Sequence, residues 1–262
     1  MYRPTELRKF LTTLGVHPKK SLSQNFLIDG NIVRKILTFA DVKKGETVIE
    51  IGPGPGALTE ELARIGAQII AIEKDRIFAK ALERIPGVCI RCEDALDVDY
   101  AELQGQIVAN LPYHITTPFL AKIIPLHRNF SSATLMIQKE VAERILAPPG
   151  SKTYGSLSVF VQFYTTPTYG FTVEPTCFYP RPKVKSAVIQ LRLHPPPPVT
   201  SIDRFFQMTR TAFSMRRKTL RASLKRLYPN ASLPQQRPEE LSLSDFLTLF
   251  EEIEKNRSDI ES

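Results

Sequence analysis

The sequence has too few cysteines for a disulfide framework. Cys89, Cys92 and Cys177 are the only three in 262 residues, so one thiol stays unpaired in any scheme and a reducing compartment is the simpler setting. Cys89 and Cys92 stand at CxxC spacing, but a zinc site takes four ligands and no second Cys/His pair follows at metal spacing. They read as strand residues, and no metal is expected. Long apolar runs are missing too: nothing approaches the ~18 continuous apolar residues of a membrane span, and the opening MYRPTELRKFL has no apolar h-region. No internal repeat is visible. These absences lead to the expectation of a globular, cytoplasmic protein with no membrane partner, and the apolar content of 42% allows a sizeable core in one or two domains.

Acidic residues are absent from one stretch in particular. Between Arg210 and Arg226 there are seven basic residues, among them Arg216, Arg217, Lys218 and Arg221, and no acid. A smaller basic cluster runs through Arg3, Arg8, Lys9, Lys19 and Lys20, whereas Glu239 to Ser262 is acidic. With a net charge of +8, the uneven placement suggests a polyanion partner, because Lys and Arg that neutralise phosphates release counterions. A charge run taken alone is more often a solvated helix face.

What is present is a β-α alternation. TVIEI, QIIAIE, VCIRC, QIVANL and ATLMIQ read as strands between residues 47 and 138, with ALTEELARIG and RIFAKALERI as helices between them. Such repeats predict an α/β fold, an open and mostly parallel sheet with helices on both faces. VFVQFY and SAVIQLRL, between residues 155 and 193, are expected to complete the same sheet. Pro195 to Pro198 form a stiff spacer, after which FFQMTRTAF, TLRASLKRLY and LSDFLTLFEEIEK have helical period. A small α-helical C-terminal domain is predicted over 199–262, after a first domain over 1–194.

The turn EIGPGPGALT follows the first strand of this series. Gly52-x-Gly54-x-x-Ala57 with Glu73 about 20 residues on satisfies a dinucleotide fingerprint and permits NAD. Gly52, Gly54 and Gly56 preceded by Glu50 equally fit S-adenosylmethionine, a nucleoside with a sulfonium and no phosphate. Pyrophosphate is held by backbone N–H groups, and Pro53 and Pro55 have none to offer, which weakens the NAD reading. Glu50 suits a cationic ligand. Glu73 and Asp94 end successive strands, where they can accept from ribose hydroxyls and an adenine amino group.

Asn110-Leu111-Pro112-Tyr113 follows the next strand at the same sheet edge. An aromatic amine is a poor nucleophile, because its lone pair is delocalised into the ring. If the Asn110 side-chain oxygen and the Leu111 carbonyl accept its two N–H bonds, positive charge developing on nitrogen is stabilised. Pro112 would stiffen the loop and Tyr113 would stack on the base, which must be unstacked to enter.

With these motifs in order, the chain resembles the KsgA-type ribosomal RNA adenine N6,N6-dimethyltransferases from about His17 to Leu224. The residues carrying the resemblance are KSLSQNFL at 20–27, EIGPGPGALT, Asn110 to Tyr113, MIQKEVAERI, YGSLSV, FYPRPKVKSAV and AFSMRRKTLRASL. The resemblance implies a Rossmann-like class I methyltransferase domain plus a small helical domain, with residues 1–28 over the cofactor and RNA cleft. It implies that Asn25 and Leu27 line the S-adenosylmethionine site with Gly52, Gly54, Glu73, Asp94 and Asn110, and that Phe178 stacks on the target adenine opposite Tyr113. Lys183 and Lys185, near that base, join Arg216, Arg217, Lys218 and Arg221 as RNA-binding candidates.

The implied reaction places two methyl groups on each of two adjacent adenosines in a 3′-end hairpin of small-subunit rRNA, on a pre-30S particle and by a monomer. Ser23, His114, Thr116 and Ala222 depart from the family pattern, and none of them removes Asn110, Tyr113, Glu73 or Asp94. A large-subunit rRNA adenine methyltransferase of the macrolide-resistance type would share fold and reaction; AFSMRRKTLRASL favours the small-subunit enzyme. A non-catalytic ribosome-assembly factor is the alternative outside enzymes, and the intact NLPY and carboxylates speak against it.

Overall fold

The computed structural model describes residues 4–18, 24–215 and 217–261. Lys20 to Ser23 and Arg216 lie outside them. The chain begins with α1 (Pro4–Leu14), β1 (Phe26–Leu27) and α2 (Gly30–Ala40), and continues as β2 (Thr47–Ile51), α3 (Ala57–Ile65), β3 (Gln68–Ile72), α4 (Arg76–Leu82) and β4 (Val88–Arg91). Then follow β5 (Gly105–Asn110), α5 (Thr116–Ile123), β6 (Phe130–Gln138), α6 (Lys139–Leu146), α7 (Ser156–Tyr164), β7 (Thr165–Val173), β8 (Phe178–Tyr179) and β9 (Ser186–Leu193). The last helices are α8 (Ile202–Ser214), α9 (Leu220–Leu224) and α10 (Leu243–Glu261).

The chain divides into two compact units, Met1–Ala142 with Thr166–His194, and Glu143–Thr165 with Pro195–Ser262. The first holds a seven-stranded sheet in the order β4-β3-β2-β5-β6-β9-β7 and a two-stranded pair, β1 with β8. β2 runs parallel to β3 and to β5, β3 to β4, and β5 to β6, while β9 returns antiparallel to β6. Helices α2, α3 and α4 pack on these strands. TVIEI and GQIVAN are almost wholly buried, which explains their near-continuous apolar runs.

Helix ends follow local chemistry. Asp29 caps α2 by accepting from the Asn31 and Ile32 N–H groups, Asp75 caps α4 through Ile77, and Gly66 closes α3 in the left-handed region. The chain leaves β2 toward β3 and leaves β5 toward β6, so the two connections run in opposite directions. A crevice opens at the carboxyl ends of β2 and β5, the place where open α/β sheets bind ligands.

The second unit is helical. Phe163 on α7 stacks on Phe205 of α8 at 5.2 Å, Tyr164 stacks on Phe206 at 5.9 Å, and Phe250 of α10 meets Phe205 edge-on. The VFVQFY run is therefore a helix, where a strand of the main sheet was expected. An apolar run without period fits a buried helix as well as a buried strand. What decides is ring spacing: Phe160, Phe163 and Tyr164 lie on one helical face and all three meet Phe206. SAVIQLRL does join the sheet as β9. The outer strand is β7, whose Pro167 and Gly170 mask it in the sequence and are tolerated at an edge. Residues 143–165, expected within the first domain, belong to the unit of the C-terminal helices.

Candidate active site

The turn after β2 takes its shape from three glycines in the left-handed region, Gly52 at φ 62°, Gly54 at φ 54° and Gly56 at φ 94°. Its N–H groups are all committed inside the protein. Gly52 donates to the Ile72 carbonyl at 2.9 Å, Gly54 to Glu73 Oε2 at 2.9 Å and Gly56 to the Pro53 carbonyl at 3.0 Å. With Pro53 and Pro55 between them, the turn has no N–H left for a phosphate, so a dinucleotide is disfavoured more strongly than the prolines alone implied.

Two carboxylates stand behind this turn. Glu73 is buried, accepts from Gly54 and Asp75 through separate oxygens, and burial raises its pKa. Glu50, on β2, is 1% exposed, and its Oε2 has no hydrogen-bond partner. Burial, and then the like charge of Glu73, pushes its carboxyl up to about 8. Glu50 thus holds its proton at neutral pH until a positive charge arrives. Asp94, at the end of the β4 segment, accepts from Lys74 Nζ at 2.5 Å and from the Leu96 N–H, and its pKa is lowered by them.

The acceptor motif lies against the glycine turn. A Cβ built on Gly52 would stand 3.7 Å from Pro112 and 4.0 Å from the Asn110 carbonyl oxygen. Asn110 ends β5, and the Leu111 N–H donates to the Met136 carbonyl of β6 at 3.1 Å, which pins the motif to the sheet. Asn110 Nδ2 donates to the Asn25 carbonyl at 3.1 Å. With its donor engaged there, the amide turns its oxygen to other use. Tyr113 starts a 3-10 turn, Tyr113–Ile115, and its hydroxyl lies 2.8 Å from Ser186 Oγ. Burial raises the phenol pKa, so Tyr113 is neutral.

One cavity collects most of the expected site: Asn25, Leu27, Gly52, Gly54, Glu73, Asp94 and Asn110 to Tyr113 all line it, together with Glu50 and the exposed His114. Phe178 is not brought to that lining. It is 2% exposed, paired with Leu27 across the β1–β8 ladder, and sits in the apolar cluster with Met136 and Val188. Lys183 is exposed, and Lys185 is paired with Glu174 at 2.7 Å. Arg217, Lys218 and Arg221 are exposed on the second unit, and Arg216 lies outside the described residues.

The sequence reading missed Leu7 of α1, Gln24, Phe26 and Lys74, which also line the cavity. Phe26 closes on the turn: a Cβ on Gly54 would meet its ring at 3.2 Å. Lys74 was within reach of sequence reasoning, since it directly follows a strand-end acid. Among the described residues no group of His, Cys, Asp and Glu could hold a metal ion, and Cys89 and Cys92 are exposed free thiols.

A turn without free N–H groups, an orphan buried carboxylate oxygen and two further acids suit a cationic nucleoside, S-adenosylmethionine, and the neighbouring amide, carbonyl and phenol suit an amine on a planar base. Comparison with known proteins points the same way. The chain is 48% identical to the ribosomal RNA small subunit methyltransferase A of Protochlamydia amoebophila, over 97% of each chain. It is 47% identical to that of Chlamydia muridarum, over 94% of this chain and 95% of the other. Among solved structures it is similar to a dimethyladenosine transferase from Plasmodium falciparum, with a TM-score of 0.77, 28% identity and coverage of 88% of this chain and 98% of that one. The 23S rRNA methyltransferase ErmE gives a TM-score of 0.66 at 27% identity, over 88% of this chain and all of that one. The profile described as ribosomal RNA adenine dimethylase matches residues 16–255, and with that span of the chain accounted for, the protein belongs to the ribosomal RNA adenine dimethylase family.

Proposed function

We propose that this protein transfers methyl groups from S-adenosylmethionine to N6 of adenosine in small-subunit ribosomal RNA, two on each of two adjacent adenosines in a 3′-end hairpin. It acts as a monomer in the cytoplasm, on a pre-30S particle. The observation that carries the reading is the abutment of two motifs in one cavity: the glycine turn with its buried acids after β2, and Asn110 to Tyr113 after β5.

Bound in this cavity, S-adenosylmethionine supplies a methyl group made electrophilic by its sulfonium. Glu73 accepts from ribose hydroxyls with the lone pairs that Gly54 and Asp75 leave free, and Asp94 accepts from the adenine amino group of the cofactor. Glu50 supplies negative charge, while Asn25 and Leu27 close the site from the N-terminal side. On the acceptor side, Asn110 Oδ1 and the Leu111 carbonyl take the two N–H bonds of the target amine and stabilise the charge that grows on its nitrogen. The alkylated amine loses its proton to solvent, so no side-chain base is needed. Pro112 stiffens this segment and Tyr113 stacks on the base.

Phe178, buried here and paired with Leu27 across the β1–β8 ladder, is assigned as the second stacking face on the family resemblance. Arg216, Arg217, Lys218, Arg221, Lys183 and Lys185 neutralise phosphates.

The test is mass spectrometry of rRNA nucleosides after incubating the purified protein and S-adenosylmethionine with small-subunit particles, and separately with large-subunit RNA. Dimethyladenosine at adjacent sites of the small-subunit RNA is expected. Modification of the large-subunit RNA alone would overturn the substrate assignment. A folded protein that binds S-adenosylmethionine and methylates neither RNA would point to the assembly factor.

A further inference from the structure

Tyr113 and Ser186 meet from distant parts of the first unit. Tyr113 stands on a short turn after β5, and Ser186 is the first residue of β9. Ser186 is fully buried and is held in register opposite Gln138 of β6, so its hydroxyl is a fixed point. The Tyr113 ring is only partly buried and hangs from a turn. Two side-chain torsions would let it swing, and the 2.8 Å hydroxyl contact at its far end removes that freedom. The phenol keeps its proton at the pH of methyl transfer, so the contact is a neutral hydrogen bond whose effect is orientation, not proton transfer.

We infer that Ser186 is a positioning residue: it anchors the Tyr113 hydroxyl, so that the ring stands as a fixed stacking face for the target base beside Asn110. Ser186 itself does not line the cavity and acts through Tyr113. The inference rests on the function proposed above. It accounts for a polar side chain at a fully buried strand position, where an apolar residue would pack at no desolvation cost.

The test uses Ser186→Ala, Tyr113→Phe and the double variant of the full chain. Each single change is expected to lower turnover on small-subunit particles by about tenfold, the upper end of what one neutral hydrogen bond is worth, with S-adenosylmethionine affinity unchanged. The double variant should be no slower than the slower single one, because both remove the same hydrogen bond. Losses that multiply would overturn the inference. So would parental turnover in Tyr113→Phe, which leaves the sheet untouched should Ser186→Ala fold poorly. The anchoring itself is read without substrate by fluorine NMR of fluorotyrosine-labelled protein, with the Tyr113 signal assigned by its loss in Tyr113→Phe. In Ser186→Ala that signal should move toward the position of a free ring; an unmoved signal sinks the anchor. A parent protein that never methylates would defeat the proposed function and still leave this spectrum to decide the anchor.

Discussion

The turn after β2 and the turn after β5 lie side by side, yet one is backed by two buried carboxyl groups and the other presents an amide, a backbone carbonyl and a neutral phenol. Behind Gly52 to Gly56 stand Glu50 and Glu73, both with raised pKa values caused first by burial. Along Asn110 to Tyr113 the polar groups are uncharged acceptors and a hydroxyl. The difference teaches where charge is useful in methyl transfer. Carboxyl groups that a cation can ionise are gathered where, in the function proposed above, the cation binds, and the side proposed for the neutral amine has oriented dipoles. Those dipoles strengthen as charge appears on nitrogen and incur no large desolvation penalty beforehand.

The sharpest way to break this division is Asn110→Ala. Turnover should fall about a hundredfold to a thousandfold, the cost of removing one preorganised dipole from a developing charge, while cofactor affinity, measured by calorimetry, drops far less. Equal losses in both would place Asn110 on the cofactor side. Next in size is Glu73→Gln, which puts an amide against the Gly54 and Asp75 N–H groups. Cofactor binding should weaken about ten- to a hundredfold, as expected for charge-assisted hydrogen bonds, with turnover at saturating cofactor close to parental. A fall in turnover alone would contradict the assignment.

Glu50 sharpens the comparison through pH. Its folded-state pKa, about 8, lies above the ordinary carboxyl value of 4.5. The protonated form is therefore favoured by folding: the stability it contributes is complete below about pH 4.5 and is lost as pH rises through about 8. Urea unfolding of the cofactor-free protein should show roughly 2 kcal/mol lost between pH 6 and pH 8 from this group, and Glu50→Gln should flatten that slope. Cofactor affinity should rise over the same range in the parent and stay level in Glu50→Gln, because a cation binds the ionised form better. An unchanged slope in Glu50→Gln would assign the pH dependence to another group. The smallest effect is expected in the second unit. Neutralising Arg217, Lys218 and Arg221 should reduce the salt dependence of RNA binding by about 0.7 to 0.9 log units of slope for each phosphate they cease to neutralise. An unaltered slope would move the RNA elsewhere.

Much of this arrangement is legible in the chain because its causes are local. TVIEI and GQIVAN are apolar on both faces because the sheet is covered on both, and Gly52 to Gly56 announce a turn that only glycine can make. Glu73, Asp94 and Asn110 fall at strand ends, where the topology carries them to one edge. Features set by distant partners are not legible. VFVQFY becomes a helix through rings on α8, the two-residue β1 is too short to carry a period, and the Ser186 hydroxyl has meaning only opposite Tyr113. The burial of Phe178, paired with Leu27, likewise depends on a pairing that no local pattern encodes.

That pairing has a consequence for the timing of assembly. Phe26 and Leu27 leave the ribosome before every strand of the large sheet, and their partners Phe178 and Tyr179 follow all of those strands except β9. Asn25, whose carbonyl steadies the Asn110 amide, therefore lies in a segment whose ladder partner is made only after most of the first unit. Closing so long a loop costs more entropy than closing a short one. A nascent chain carries every residue that lines the cleft well before this ladder can form, so the cleft's residues and the pairing that frames its N-terminal side are completed at different times.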